Sequence, residues 1–400
     1  MAHAPLAFLI ADGMADYPLA ALGGRTPLEA AHTPHMDALA AQCCAGTIAT
    51  IPTGMSAGSD VACMSLLGFN PRQHHTGRGP IEAAARDCDL GPDDIVWRLN
   101  LVSLAGPLSD RRMADFTAGA CDPRLATRII SHLAARLPHP RFTLVPGLGY
   151  RHLLIERGGA NGPASSIRIR PPHDIIGQSI APDITTLQHH APLAAFLANA
   201  EHELRATFPG IAANALWPWS QGAPLRLPNF TAATGHNGAI ITAVDLLKGL
   251  GHAAEMHVPS IPGATGTIAT DYAAKVQAAI QHLRSGGDFV LLHVEAPDDC
   301  AHRGDIASKV RSIELFDRAV VGPFLASTQD IAPAVLIACD HYTPVGLKVH
   351  TDTPAPFMLT QHPHSPHQLA AFSEHHASQT GVHINPGHSL LHRVIQRFRQ

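Results

Sequence analysis

The residues able to do metal and phosphate chemistry stand at the ends of apolar runs. Asp12 follows Leu6–Ala11. Asp298 and His302 follow Phe289–Val294. Asp340-His341 follow Ala334–Ala338, and His350 comes shortly after. A helical turn would put Asp298 and His302 on one face, which favours Asp298 over its neighbour Asp299. Carboxylates with imidazoles suit Zn²⁺ or Mn²⁺ rather than Ca²⁺. Two such ions about 4 Å apart can stabilise both the entering and the leaving oxygen of a phosphoryl transfer. The stretch Thr53-Gly-Met-Ser-Ala-Gly-Ser59 is small and glycine-rich. It then turns amphipathic through Val61, Met64, Leu66 and Leu67 and closes at Gly68. That pattern delivers Ser59 to a helix start, where unpaired N–H groups and the helix dipole favour a phosphoryl group. A capping serine is common by itself. The three strand ends make this one a candidate nucleophile. Asp299, Cys300 and Cys339 read as packing or solvent-contact residues.

These groups need a scaffold that brings strand ends together. Leu6–Ala11 reads as a strand buried on both faces, and Asp12 at its carboxyl end lies where open α/β sheets carry ligands. Thr33-Pro34 starts a helix with Thr33 as cap. Helices are expected at about 237–249, 270–284, 305–321 and 387–398, with strands at 289–294, 334–338 and 356–359. Strands alternating with helices imply a mostly parallel sheet. From about 75 to 228 prolines and arginines increase, with strand-like runs at Phe142–Val145 and His152–Ile155. That stretch reads as a domain inserted into the first, and Leu216-Trp-Pro-Trp-Ser-Gln-Gly-Ala-Pro reads as the return crossing. The expected division is 1–74 with 229–400, interrupted by 75–228.

Composition narrows the classes. A net charge of −4 without like-charge blocks argues against nucleic acid or an anionic membrane surface as partner. Seven scattered cysteines without a CxxC pair argue for reduced thiols in the cytoplasm. The run Pro5–Ala11 is too short for a signal peptide, and no stretch reaches the roughly 20 apolar residues of a membrane span. With 28 histidines in the chain, a lone histidine says little. His362 and His364, in the proline-broken stretch Gln361-His-Pro-His-Ser-Pro366, are expected on a solvated loop.

The motifs Asp12-Gly13, Gly58-Ser59-Asp60, Asp298-x-x-x-His302, Asp340-His341 and His350 resemble the alkaline phosphatase superfamily. Within it the chain resembles the archaeal-type cofactor-independent phosphoglycerate mutases. The supporting stretches are Arg25-Thr-Pro-Leu-Glu-Ala, Ser65-Leu-Leu-Gly-Phe-Asn-Pro, Gly77-Arg-Gly-Pro-Ile-Glu-Ala, Tyr150-Arg-His, Pro172-His-Asp, Asp245-Leu-Leu-Lys-Gly and His293-Val-Glu-Ala-Pro-Asp, which run nearly the whole chain. The resemblance implies an alkaline-phosphatase-like three-layer α/β core with an inserted smaller α/β (α+β) lid. It implies two divalent ions, Mn²⁺ first, with Zn²⁺, Co²⁺ or Mg²⁺ as alternatives, and no 2,3-bisphosphoglycerate. One ion falls to Asp298, His302 and His350, and the other to Asp12, Asp340, His341 and the Ser59 hydroxyl. Ser59 would take the phosphoryl group of 3-phosphoglycerate and return it to the 2-hydroxyl. Arg78, Arg98, Arg151 and His173 are the candidates for gripping this small phosphorylated hydroxy acid. Better-known mutases of the superfamily use a catalytic lysine, for which Lys248 is a stand-in here.

Two other readings compete. The same metal–serine site would serve a phosphatase or a phosphotransferase on another small substrate, such as a homoserine kinase-like enzyme. A metal-binding regulatory protein without turnover is the third, but it gives Ser59 no task. No G-x-x-x-x-G-K-[ST] loop is present.

Overall fold

The computed structural model describes residues 4–360 and 369–397; His362 and His364 lie outside them. The chain forms two compact units, Met1–His75 with Arg226–Gln400, and Thr76–Leu225.

The first unit is built on a seven-stranded sheet. Its order is His383–Ile384, Cys44–Ile48, Ala355–Leu359, Ala334–Ala338, Leu6–Ala11, Phe289–Val294 and Gly238–Ile241. Leu6–Ala11 is buried along its whole length and pairs in parallel with Ala334–Ala338 and Phe289–Val294. A central parallel strand is covered on both faces, which is why these runs are apolar at nearly every position. Ile10 lies beside Ala338, and Ala11 beside Val294. The residues just beyond, Asp12, Cys339-Asp340 and Glu295, therefore emerge at one edge of the sheet. Ala355–Leu359 runs antiparallel to both of its neighbours, so the sheet is mostly but not wholly parallel.

Local expectations at three places give way to tertiary contacts. Residues 237–249 are not one helix: Gly238–Ile241 is a strand paired with Phe289–Val294, and the helix is Asp245–Ala253. A four-residue apolar run suits either state, and an open sheet edge decides it. The helix expected over 305–321 is α-helical over Ile306–Phe316. It widens to a π turn at Asp317–Val321 and resumes as Gly322–Ser327. Buried Asp317 on that turn accepts the backbone N–H groups of His35 (3.2 Å) and Met36 (2.7 Å). It thereby caps the Pro34–Ala40 helix in place of Thr33, whose hydroxyl donates to Asp37 instead (3.4 Å).

The second unit is an antiparallel sheet. Ile95–Ala105 pairs with Arg151–Glu156 and with Ala215–Gly222; Arg112–Asp115 and Phe142–Val145 extend it. Trp97, Leu99 and Leu101 form a core with Ile129, Ile130 and Leu133 of the Pro123–Arg136 helix and Phe196 and Leu204 of the Ala191–Thr207 helix. On the other face Ala83 of the Arg78–Ala84 helix packs with Val96, Leu153 and Ile155. The segment from Leu216 is thus a strand and not the return crossing. Its Pro218, which lacks an N–H, is tolerated because Ala215–Gly222 has a neighbour on one side only. Among the described residues no helix is long and apolar enough to cross a membrane, and all seven cysteines are free thiols.

One buried carboxyl sets a pH signature. Glu374 accepts the Asp16 N–H (3.0 Å) and the Thr26 hydroxyl (2.8 Å), and burial pushes its pKa from 4.5 to about 7. The folded state therefore keeps a proton that the unfolded chain releases. This contribution to stability is full below pH 4.5 and is lost as pH rises through about 7. Thermal unfolding of the wild type beside Glu374→Gln should show their difference moving in the variant's favour across that interval; parallel profiles would refute this.

Candidate functional site

Ser59 opens the Ser59–Leu66 helix, with Gly58 as its extended N-cap residue. The Ser59 hydroxyl lies 3.4 and 3.5 Å from the two oxygens of Asp12 and 3.1 Å from Nε2 of His341. Asp298 and His302 share one face of the Ala296–His302 helix, as the spacing required. Asp299 points elsewhere and pairs with Arg303.

The hydrogen-bond partners fix the protons on the imidazoles. His302 Nδ1 lies 2.9 Å from the Lys348 carbonyl, and His350 Nδ1 lies 3.3 Å from the Ala57 carbonyl. Carbonyls only accept, so each Nδ1 carries the proton and each Nε2 presents a lone pair. Those two Nε2 atoms are 2.8 Å apart, and each lies 3.3 Å from an oxygen of Asp298. The same logic applies next door. The Thr343 hydroxyl donates to Asp298 Oδ1 (2.6 Å) and accepts from His341 Nδ1 (3.2 Å). His341 Nε2 then faces Asp340 Oδ2 (3.3 Å), Asp12 Oδ1 (3.5 Å) and Ser59. Two nests of lone pairs and carboxylates repel internally unless each holds a cation. Ligand atoms of Asp298, His341 and His350 lie within 4.8 Å of one another, as do those of Asp12, Asp340 and His341. This donor set fits divalent ions of the Zn²⁺ or Mn²⁺ type.

The electrostatics carry the same imprint. Burial, then the charges of Asp340 and Asp298, raise Asp12 well above the usual carboxylate range. Burial opposes ionisation of Asp298, but the close imidazoles of His302 and His350 override it and hold its pKa well below the usual carboxylate range. Burial pushes His341 down to about 4, despite the pull of Asp340.

Two fully buried lysines frame these strand ends. Lys309 Nζ binds Asp16 Oδ2 (2.8 Å), the Thr343 carbonyl (2.8 Å) and the Ala15 carbonyl (3.3 Å), tying the loop after Asp12 to the loop after Asp340. Lys275 pairs with Glu295 and donates to the His293 carbonyl (3.0 Å). Sequence reasoning missed both, along with Thr343. Lys248, the stand-in, lies on the Asp245–Ala253 helix, half-buried and 3.4 Å from Asp245.

In the second unit, Arg78, Arg98, Arg151 and His173 form one cluster. Buried Arg98 pairs with Glu82 (3.0 Å) and lies 4.5 Å over the ring of Trp219. His173 meets that ring edge-on at 5.3 Å, and the Trp219 indole N–H donates to Asn100 (3.0 Å). Arg151 lies 5.5 Å over Tyr150. Burial, reinforced by Arg78 and Arg151, lowers the Arg98 pKa against the pull of Glu82. Glu82 and Trp219 were visible as residues, but no spacing marked them as supports.

Carboxylates and imidazoles converging on a helix-start serine, at the carboxyl ends of an α/β sheet, define the phosphoryl-transfer class of site. A family model described as 2,3-bisphosphoglycerate-independent phosphoglycerate mutase matches residues 40–207. The probable 2,3-bisphosphoglycerate-independent phosphoglycerate mutase of Geobacter sulfurreducens is 39% identical, covering 97% of this chain and 99% of its own. The 2,3-bisphosphoglycerate-independent phosphoglycerate mutase of Methanothrix thermoacetophila is also 39% identical, covering 97% and 98%. A solved structure from Pyrococcus horikoshii superposes with a TM-score of 0.82 at 25% identity, over 100% of this chain and 98% of that one. The chain belongs to the 2,3-bisphosphoglycerate-independent phosphoglycerate mutase family.

The tightness of the site makes Gly13 a test. Its φ is +60°, and a Cβ there would lie 2.5 Å from Thr343 Oγ1 and 2.7 Å from Asp298 Oδ1. Gly13→Ala should weaken divalent-ion binding about tenfold or more by calorimetry, the scale seen when ligand supports are displaced. Gly23 (φ +67°) has nothing within 4 Å of such a Cβ. Gly23→Ala should cost stability of about 1 kcal/mol and leave ion binding unchanged.

Proposed function

We propose that this protein interconverts 3-phosphoglycerate and 2-phosphoglycerate through a phosphoserine on Ser59, without 2,3-bisphosphoglycerate. The observation that carries the reading is the Ser59 hydroxyl, 3.1–3.5 Å from His341 and Asp12, beside two nests that call for cations. Family membership supplies the substrate. We assign one ion to Asp298, His302 and His350, and the other to Asp12, Asp340, His341 and the Ser59 oxygen. Mn²⁺ is our first choice. Bound there, divalent ions would lower the pKa of the serine hydroxyl and offset phosphate charge.

Ser59 Oγ attacks phosphorus in line. The Oγ–P bond forms as the bond from phosphorus to the 3-oxygen breaks, and the serine proton ends on the glycerate 3-hydroxyl. The first N–H groups of the Ser59–Leu66 helix offer donors to the equatorial oxygens. Glycerate then turns, its 2-oxygen attacks the phosphoserine, and that hydroxyl's proton returns to Ser59 Oγ. Atoms balance without water, so water must be kept out. In this reading the inserted unit is the lid, and Arg78, Arg98, Arg151 and His173 grip the substrate's anionic groups. Free thiols fit a cytoplasmic setting.

A coupled assay tests the core claim. Metal-stripped protein receives 3-phosphoglycerate and enolase without 2,3-bisphosphoglycerate, and Mn²⁺ is added back. Formation of 2-phosphoglycerate should depend on the ion and vanish in Ser59→Ala; phosphate release without isomerisation would make the protein a phosphatase. The grip is tested by product partition. Arg151→Ala and His173→Ala should raise KM and increase free phosphate relative to 2-phosphoglycerate several-fold, because loosely held glycerate lets water compete. An unchanged ratio with normal KM would remove both residues from the substrate site.

A further inference from the structure

The mechanism leaves unused a buried histidine on the far side of Asp12. His293 is 0% exposed. Its Nε2 has no partner at ideal hydrogen-bond geometry; its nearest charge is Asp12 Oδ2, at 3.3 Å. Its Nδ1 faces Glu295 Oε1 (3.5 Å) and the Thr242 hydroxyl (3.4 Å). Glu295 is itself held by the Thr242 hydroxyl (3.0 Å), the Ala243 N–H (2.7 Å) and the buried Lys275 ammonium. Lys275 closes the circuit on the His293 carbonyl. The series Lys275–Glu295–His293–Asp12 is thus a continuous buried line ending on a carboxylate that also faces Ser59.

We propose that His293, set by Glu295 and Lys275, is a positioning residue that fixes Asp12 for the cation beside Ser59. The proposal rests on the reading of Asp12 as a ligand. The ring lies between two carboxylates, Glu295 at Nδ1 and Asp12 at Nε2, a geometry that suits the imidazolium, whose two N–H groups both donate. Nε2–H is the group the fold aims at Asp12 Oδ2, which leaves Oδ1, 3.5 Å from His341 Nε2, for the ion. Supports of this kind fix ligand orientation, and their removal typically costs 10–100-fold in affinity. A rival role exists, since atoms of Cys63, His293 and Asp340 also lie within 4.8 Å of one another and could hold an ion of their own. Against it, Asp340 Oδ2 already faces His341 Nε2 (3.3 Å) in the nest beside Ser59.

The test is calorimetric titration of the metal-free full-length protein with Mn²⁺, with thermal unfolding of the same samples. His293→Leu should weaken Mn²⁺ binding about 10–100-fold without changing the number of ions bound. His293→Gln, which keeps a donor near the Nε2 position, should recover most of the loss. In an Asp12→Asn background, His293→Leu should have less than about a twofold further effect, because coupled residues do not add. A purely structural role would lower thermal stability in every background and spare this coupling. Should His293→Leu not fold, Glu295→Gln replaces it and should weaken binding in the same direction by less. Unchanged affinity in His293→Leu, or an undiminished effect in Asp12→Asn, overturns the positioning role. Loss of one bound ion in both His293→Leu and Cys63→Ala overturns it in favour of a third cation site. If Asp12→Asn alone leaves Mn²⁺ binding intact, the assignment of Asp12 as a ligand fails with it.

Discussion

Three buried or half-buried carboxylates that must sit together dominate this structure. Asp12, Asp298 and Asp340 leave neighbouring strand ends, and the parallel register brings them to one edge. Buried like charges repel, and burial strips the water that would soften the repulsion. The raised pKa of Asp12 is the direct expression of this strain. Around it, imidazoles are turned so that their lone pairs face the carboxylates, with Nδ1 protons tied to carbonyls or to Thr343. Such an arrangement is unfavourable without positive charge and favourable with it. The same geometry that would bind cations puts the serine hydroxyl within their reach.

The protein also supplies fixed positive charge from behind. Lys309 and Lys275 are each fully buried and each bound to a carboxylate and to backbone carbonyls. A buried ion pair adds little net stability, because desolvation offsets attraction. Removing one partner is costly, so the loops they bridge have few alternative positions. Lys309 bridges the Asp12 and Asp340 loops, and Lys275 braces the segment leading to Asp298. Rigid loops suit a site whose reacting groups must be held in fixed alignment.

The second unit holds its cationic side chains by another device. Its arginines would repel one another, and Arg98 is buried among them. Glu82 supplies the counter-charge and the Trp219 ring supplies a flat polarisable surface for the guanidinium. The tryptophan is in turn held by Asn100. A preorganised cationic cluster loses less freedom on binding an anion than flexible surface arginines would.

Much of the site was legible in the sequence because its signals are local. Apolar runs ending in Asp12 or Asp340-His341 mark strand ends, and the four-residue spacing of Asp298 and His302 marks a helical face. Glycines before Ser59 mark a loop entering a helix. The mostly parallel sheet followed from the alternation of strands and helices. What the sequence alone could not decide depends on partners far away in the chain. Gly238–Ile241 became a strand only because an edge of Phe289–Val294 was open to it. Thr33 lost its cap to Asp317, from a π turn that no local propensity announces. Pro218 argued for a crossing, yet a strand with one neighbour can accommodate it. Lys275, Lys309, Thr343 and His293 look ordinary in the sequence. They matter because folding removes them from water, and a buried charged or polar group must then find a partner wherever the tertiary structure provides one.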